Sequence, residues 1–170
     1  DALQRSVDRT LRRRRGRVLM SVHFSSKKDD WGTPTAFFDR LERRFQGFDR
    51  DVCASDHNAK CKNYWTKEDD ALSKTWTGYC WMNPPYGRQI GEWVKKAYES
   101  ADSGEATVVC LLPSRTDTKW WHEYVMRADT LWFVKGRLKF EGAPNSAPFP
   151  SVVAVFGVYP NYMPGRFSYV

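Results

Sequence analysis

Four consecutive residues in the middle of the chain, Asn83-Pro84-Pro85-Tyr86, bring together groups that suit one particular reaction. The side-chain oxygen of Asn83 is a hydrogen-bond acceptor, and the carbonyl of Pro84 is a second, held in a fixed direction by the two prolines. An amino nitrogen on an aromatic ring is a poor nucleophile because its lone pair is delocalised into the ring. Accepting hydrogen bonds from its two N–H groups pulls that nitrogen toward tetrahedral geometry and exposes the lone pair to an electrophilic methyl. Tyr86 supplies a face on which the base stacks. No side chain of unusual pKa is needed, since the amine becomes acidic once methylated and sheds its proton afterwards; orientation supplies most of the rate enhancement. A plain turn also explains the tetrapeptide, because Asn and Pro favour turns, and the four residues alone leave both readings open.

The elements around the tetrapeptide determine whether such groups can meet. Thr33 can cap a helix whose first turn holds Pro34, with Phe37, Phe38, Leu41 and Phe45 at helical spacing and Gly47 ending it. Residues 48–54 then predict a short strand, and Tyr79 to Met82 another, stopped by the two prolines. Ile90, Trp93, Val94, Ala97 and Tyr98 carry a second helical period. Ala106 to Leu112 is a continuous apolar run of the kind buried on both faces of a sheet. A helix over Trp120 to Val125, a strand over Thr130 to Val134, the Gly136 to Phe140 segment, a loop rich in Pro, Asn and Ser, and a last strand over Val152 to Val158 complete the pass. Alternating strands and helices followed by a terminal strand pair predict a three-layer α/β sheet. Ligands of such sheets collect at the carboxyl ends of strands, where the tetrapeptide falls.

The chain has 170 residues, 41% of them hydrophobic and eight of them Trp, enough for one core and one active site. The expected organisation is a basic arm and flexible lead-in over residues 1–30, with Arg12, Arg13, Arg14 and Arg15 in it, and a single domain over 31–170. A formal net charge of +7 favours a polyanionic partner such as nucleic acid. Four cysteines without a CxxC pair suit a reduced, cytoplasmic protein. No apolar run approaches the ~18 residues of a membrane helix, and no signal-peptide pattern is present.

Several segments in order resemble the small phage-encoded DNA N6-adenine methyltransferases, the phage Dam family. Besides Asn83 to Gly87, they are Asp30-Trp31-Gly32-Thr33-Pro34, Asp51-Val52-Cys53-Ala54, Leu112-Pro113 with Arg115-Thr116-Asp117-Thr118 and Trp120-Trp121-His122, Gly136-Arg137-Leu138-Lys139-Phe140, and Asn145 to Ser151. The resemblance covers residues 31 to 156. It implies a Rossmann-like, S-adenosylmethionine-dependent fold with helices on both faces, and transfer of a methyl group from that donor to N6 of adenine in double-stranded DNA, within a phage-infected or lysogenic bacterial cell. Trp31, Thr33 and Pro34 then resemble a donor-binding element. Asp51 matches acids that hold the donor's amino group or ribose, and Asp69 or Asp70 is placed to contact its adenine. The usual glycine-rich donor loop, Phe-x-Gly-x-Gly, is missing, and Asp51, Cys53 and Ala54 stand where it would be.

An adenine inside a duplex must be flipped out to reach any pocket. Arg115, Lys119, Arg137 and Lys139 fall in segments expected at the same sheet edge, with Trp120, Trp121 and Phe140 as stacking surfaces, one of the two tryptophans buried and one partly exposed. Asn145 lies in the 141–150 loop, which with 114–119 is expected to meet DNA. Cys53, His57 and Cys61 offer three groups without a fourth, so no metal is expected. Phosphate-loop, zinc-protease and nucleophile-elbow signatures are absent. The alternatives are a catalytically silent DNA-binding accessory protein, methylation of a protein glutamine, and methylation of cytosine N4, which usually carries Ser at the first motif position.

Overall fold

The computed structural model describes residues 30–160 and the backbone of 168–169; the expected arm and lead-in over residues 1–30 lie outside them except for Asp30. The architecture is α/β, with a mixed sheet and helices packed against it.

Helix α1 (Thr35–Phe45) buries Phe37, Phe38, Leu41 and Phe45, the residues its sequence period selects. Each contributes roughly 1.5–3 kcal/mol by leaving water. The helix ends where Gln46 turns left-handed (φ 60°) and Gly47 follows at φ 108°, and the Gly47 N–H closes on the Glu42 carbonyl at 2.9 Å. Its start differs from expectation. Pro34 is the N-cap and Thr33 makes no capping bond, because the Thr33 hydroxyl is engaged elsewhere.

Strand β1 (Arg50–Asp51) is shorter than the predicted 48–54. Backbone bonds from Asp49 to the Tyr79 carbonyl and from Val52 to the Trp81 carbonyl extend its contact with the next strand. The returning segment around Tyr64 then occupies its outer edge. Strand β2 (Gly78–Met82) runs parallel to β1 and to β3 (Ala106–Pro113), all eight of whose residues are buried. Helix α2 (Ile90–Asp102) connects β2 to β3. The predicted 120–125 helix is broken: α3 spans Lys119–Glu123, Tyr124 leaves helical geometry, and a 3₁₀ turn covers Val125–Arg127. Strands β4 (Thr130–Phe133) and β5 (Ser151–Phe156) form the expected terminal antiparallel pair. The Gly136–Phe140 segment forms no strand. A two-residue β6 (Ser168–Tyr169), which no sequence signal announced, pairs with β4.

The sheet order is β1-β2-β3-β5-β4-β6. Strand β5 is antiparallel to both β3 and β4, so β4 points the same way as β1, β2 and β3. The connections leaving β1, β2, β3 and β4 therefore share one edge. Phe38 of α1 packs on Trp81, and Phe45 on Tyr79 and Trp132. Tyr98 of α2 packs on Phe156, whose ladder partner is Val108. Side chains alternate along a strand, and the register puts Val108 level with Cys80, next to Tyr79 and Trp81 but on the other face. The two helices cover opposite faces.

Candidate active site

At the edge where β1 and β2 end, the chain encloses a cavity of about 850 Å³. Its wall includes Trp31, Gly32 and Thr33, then Asp51, Cys53 and Ala54 beyond β1, and Asn83, Pro84 and Pro85 beyond β2. Parallel pairing of β1 with β2 places Asp51 level with Trp81, two residues before Asn83. Chain segments separated by some fifty residues thus meet at one opening because the sheet aligns their ends.

The amide of Asn83 is held by its nitrogen. Nδ2 donates to the carbonyl of Trp31 and to the hydroxyl of Thr33 at 2.9 Å. The Trp31 carbonyl can only accept, so turning the amide round would set oxygen against oxygen. Oδ1 is left buried without a hydrogen-bond partner. Leaving such an acceptor unmet costs roughly 1–3 kcal/mol, and buried orphans of this kind are uncommon enough to call for an explanation. Asn83 is itself part of the cavity wall.

Asp51 is 3% exposed. Its Oδ1 accepts the Cys53 N–H and its Oδ2 the Lys60 N–H, each at 3.1 Å. Burial raises its pKa from 3.8 to about 6, outweighing those two bonds and the Lys60 charge, which act in the other direction. The Ala54 N–H is taken by the Trp65 carbonyl. The segment standing where a glycine-rich loop was sought therefore has both its Cys53 and Ala54 N–H groups engaged internally. Burial, then the neighbouring Asp51, pushes the Cys53 thiol well above its ordinary range, so it stays protonated and is no nucleophile.

Of the two acids ahead of β2, Asp70 lines the cavity, while Asp69 closes a capping box, accepting the Thr66 N–H at 2.8 Å and its hydroxyl at 3.1 Å. Asp70 sits at φ 49° between two 3₁₀ turns. Pro34 is not part of the cavity wall; its carbonyl accepts the Phe37 and Phe38 N–H groups at the start of α1.

Tyr86 departs from expectation. It is 3% exposed, its hydroxyl donates to the Leu111 carbonyl at 3.1 Å, and its ring meets Phe140 and Phe149 edge-on. The face expected to stack on a base is packed inside the protein. Phe140 is likewise 1% exposed and lies against Trp31 and Phe149, which removes it as an exposed stacking surface. Trp121 is buried and Trp120 half-buried, the expected division. Arg115 follows the end of β3 and is half-buried. Lys119 opens α3 and makes an exposed ion pair with Glu123 at 3.5 Å. Arg137, Lys139 and Asn145 are exposed on the β4–β5 connection, so all five polar candidates for nucleic acid lie on connections that leave the cavity's edge.

Lys60 and Glu141, which flank the site, carry no mark in the sequence. Glu141 Oε1 accepts the Thr35 N–H at 3.1 Å, the Thr35 hydroxyl at 2.6 Å and Lys60 Nζ at 2.8 Å. Burial alone would raise the Glu141 carboxyl, but these bonds hold it below its usual value. Neither residue belongs to a periodic pattern, and the partners of their side chains lie 25 to 106 residues away, so no local signal could have found them. Among the described residues, no group of three or more His, Cys, Asp or Glu is placed to hold a metal, and no helix is long and apolar enough to cross a membrane.

Residues 21–153 match the family described as DNA N-6-adenine-methyltransferase (Dam). A DNA N-6-adenine-methyltransferase of Haemophilus phage HP1 (strain HP1c1) is 39% identical over 118 residues, 68% of this chain and 68% of that protein. The DNA N-6-adenine-methyltransferase of Escherichia phage T1 is 31% identical over 113 residues, 65% of this chain and 47% of that protein. The putative methyltransferase YfdM of Escherichia coli (strain K12) is 37% identical over 65 residues, 34% of this chain and 71% of its own length.

Proposed function

The chain belongs to the DNA N-6-adenine-methyltransferase (Dam) family, and from that premise we propose that it transfers a methyl group from S-adenosylmethionine to N6 of adenine in double-stranded DNA. The single observation that carries the catalytic reading is the buried, partnerless Oδ1 of Asn83 at the cavity. The alternatives of a silent binding module or a protein-glutamine enzyme have no observation in their favour.

The cavity's volume lies within the range typical of small-molecule sites, roughly 300–1,000 Å³, and its wall contains an acid able to ionise near neutral pH. These features fit a nucleoside donor that carries an ammonium group and hydroxyls. Asp51 accepts hydrogen bonds from the donor's amino group or ribose, Asp70 meets its adenine, and Trp31, Thr33, Cys53 and Ala54 complete the wall. S-adenosylmethionine, when bound, supplies an electrophilic methyl group. Asn83 Oδ1 accepts one N–H of the target amine and the Pro84 carbonyl the other, so the lone pair is directed at the methyl. The buried Tyr86 hydroxyl anchors the turn to β3 through Leu111, and Pro85 fixes the backbone between them.

The sheet is the three-layer Rossmann-like form of S-adenosylmethionine-dependent enzymes, supported by α1 and α2 on opposite faces and by the site at the strands' carboxyl ends. Arg115, Lys119, Arg137, Lys139 and Asn145 contact the DNA backbone around a flipped base. Residues 31–170 act as one domain. The test is incubation with methyl-labelled donor and, separately, unmodified duplex DNA, RNA and protein, followed by digestion. Label in N6-methyladenine from DNA is expected; label only in RNA or protein overturns the substrate, and no donor binding overturns the enzyme.

A further inference from the structure

We propose that Lys60 and Glu141 are a positioning pair for methyl transfer, locking the segment that holds Asn83 and the loop that holds Asp51 into one frame. This rests on the function proposed above and adds two residues to its machinery.

Each member of the pair grips the site twice. The Lys60 backbone N–H donates to Asp51 Oδ2 at 3.1 Å, while its Nζ reaches Glu141 at 2.8 Å and the Thr35 hydroxyl at 3.1 Å. The Glu141 N–H donates to the Gly32 carbonyl at 2.8 Å, and its carboxylate takes both polar groups of Thr35. Gly32 stands between Trp31 and Thr33, the two residues that receive the Asn83 amide. Glu141 therefore holds that three-residue segment at its middle residue and again just beyond its carboxyl end. Gly32 permits the approach, because a Cβ there would sit 3.2 Å from the Glu141 Cβ.

The Lys60 side chain is only 10% exposed. Glu141 is 42% exposed, so the ion pair itself contributes at most about 1 kcal/mol, as surface pairs do, and its role is positional. The chemical consequence is alignment. Asn83 Oδ1 points where Trp31 and Thr33 let it point, and the donor sits where Asp51 holds it, so the angle between amine and methyl depends on a bridge between two otherwise separate segments. A displacement near 1 Å can cost on the order of 10²-fold in rate.

Glu141→Gln keeps the side chain's size and one acceptor but removes the charge; Lys60→Met keeps the stem and removes Nζ. Both variants and the double are assayed on duplex DNA with the full chain, measuring kcat, KM for DNA and for S-adenosylmethionine, and thermal midpoint. The expected result is a fall in kcat of about 10-fold or more in each single variant, at temperatures well below the midpoint, with KM for DNA unchanged. The double variant should lose no more than the worse single, because the two act as one unit. Unchanged kcat in folded Glu141→Gln, or losses that multiply in the double, overturns the pair. If Lys60→Met does not fold, Glu141→Gln alone decides. A wild-type protein that labels no adenine defeats the parent reading; an active wild type with indifferent variants defeats only this one.

Discussion

The Asn83 Nδ2 donates to the carbonyl of Trp31, 52 residues earlier in the chain, and that bond fixes which end of the amide is partnered and which is not. Since the nitrogen is committed to Trp31 and Thr33, the oxygen is the end left without a partner. Burying it unmet carries a cost that an entering hydrogen-bond donor, such as the N–H of the proposed target amine, would offset.

Thr33→Val retains shape and removes one of the two acceptors that hold the amide. The fold should lose about 1 kcal/mol, seen as a lower thermal midpoint. The kcat should fall by about 10-fold with little change in donor affinity, as expected for loosened orientation. An unchanged kcat would show that the Trp31 carbonyl alone suffices.

The proposed role of Asp51 predicts that donor binding depends on pH. Its folded pKa, about 6, lies above the unfolded value of 3.8, so protonation favours the folded state. The stability it confers is full below pH 3.8 and is lost as pH rises through about 6, a difference of roughly 3 kcal/mol. Donor binding runs the other way, strengthening as Asp51 ionises. Calorimetric titration with S-adenosylmethionine should show affinity rising between pH 5 and 7, about tenfold per unit at most. Asp51→Asn should flatten that profile and weaken binding, since an amide keeps only one of the two acceptors that meet the Cys53 and Lys60 N–H groups.

Tyr86→Phe removes the hydroxyl bond to Leu111 and leaves the ring. The thermal midpoint should drop by a few degrees, corresponding to about 1 kcal/mol, while kcat changes little. A loss of kcat near that of an Asn83 variant would assign the hydroxyl to the chemistry.

Arg137→Gln and Lys139→Gln should weaken DNA binding uniformly across sequences. Each should reduce the slope of log affinity against log salt by about 1. A variant that altered sequence preference and left the slope intact would instead be reading bases.

Helical periodicity made α1 and α2 legible, because each buries one face, and apolar runs made β2, β3 and β5 legible, β3 and β5 being buried at every residue. Strand β1 was overestimated: Phe48 and Val52 bury against the core like strand residues, yet the ladder spans only Arg50 and Asp51. Helix α3 was overestimated too, since apolar spacing continues through Val125 while Tyr124 breaks the backbone. In the candidate site, the placement of Asp51, Asn83, Pro84 and Pro85 together at the strand ends was legible. The orientation of Asn83 was not, because it depends on a carbonyl and a hydroxyl fifty residues away. The burial of Tyr86 was not legible either. It follows from packing against Phe140 and Phe149, and an aromatic residue in a turn carries no mark of whether its face is open or covered.

The most direct measurement is single-turnover transfer from labelled S-adenosylmethionine to duplex DNA at saturating donor, comparing wild type with Asn83→Ala and quantifying N6-methyladenine after digestion. Single turnover isolates the transfer step from product release. The expected result is a loss of about 10²-fold or more in the rate of N6-methyladenine formation, with donor affinity within a few-fold of wild type. Equal rates in the two proteins would contradict the assignment of the Asn83 oxygen as the acceptor that activates the amine.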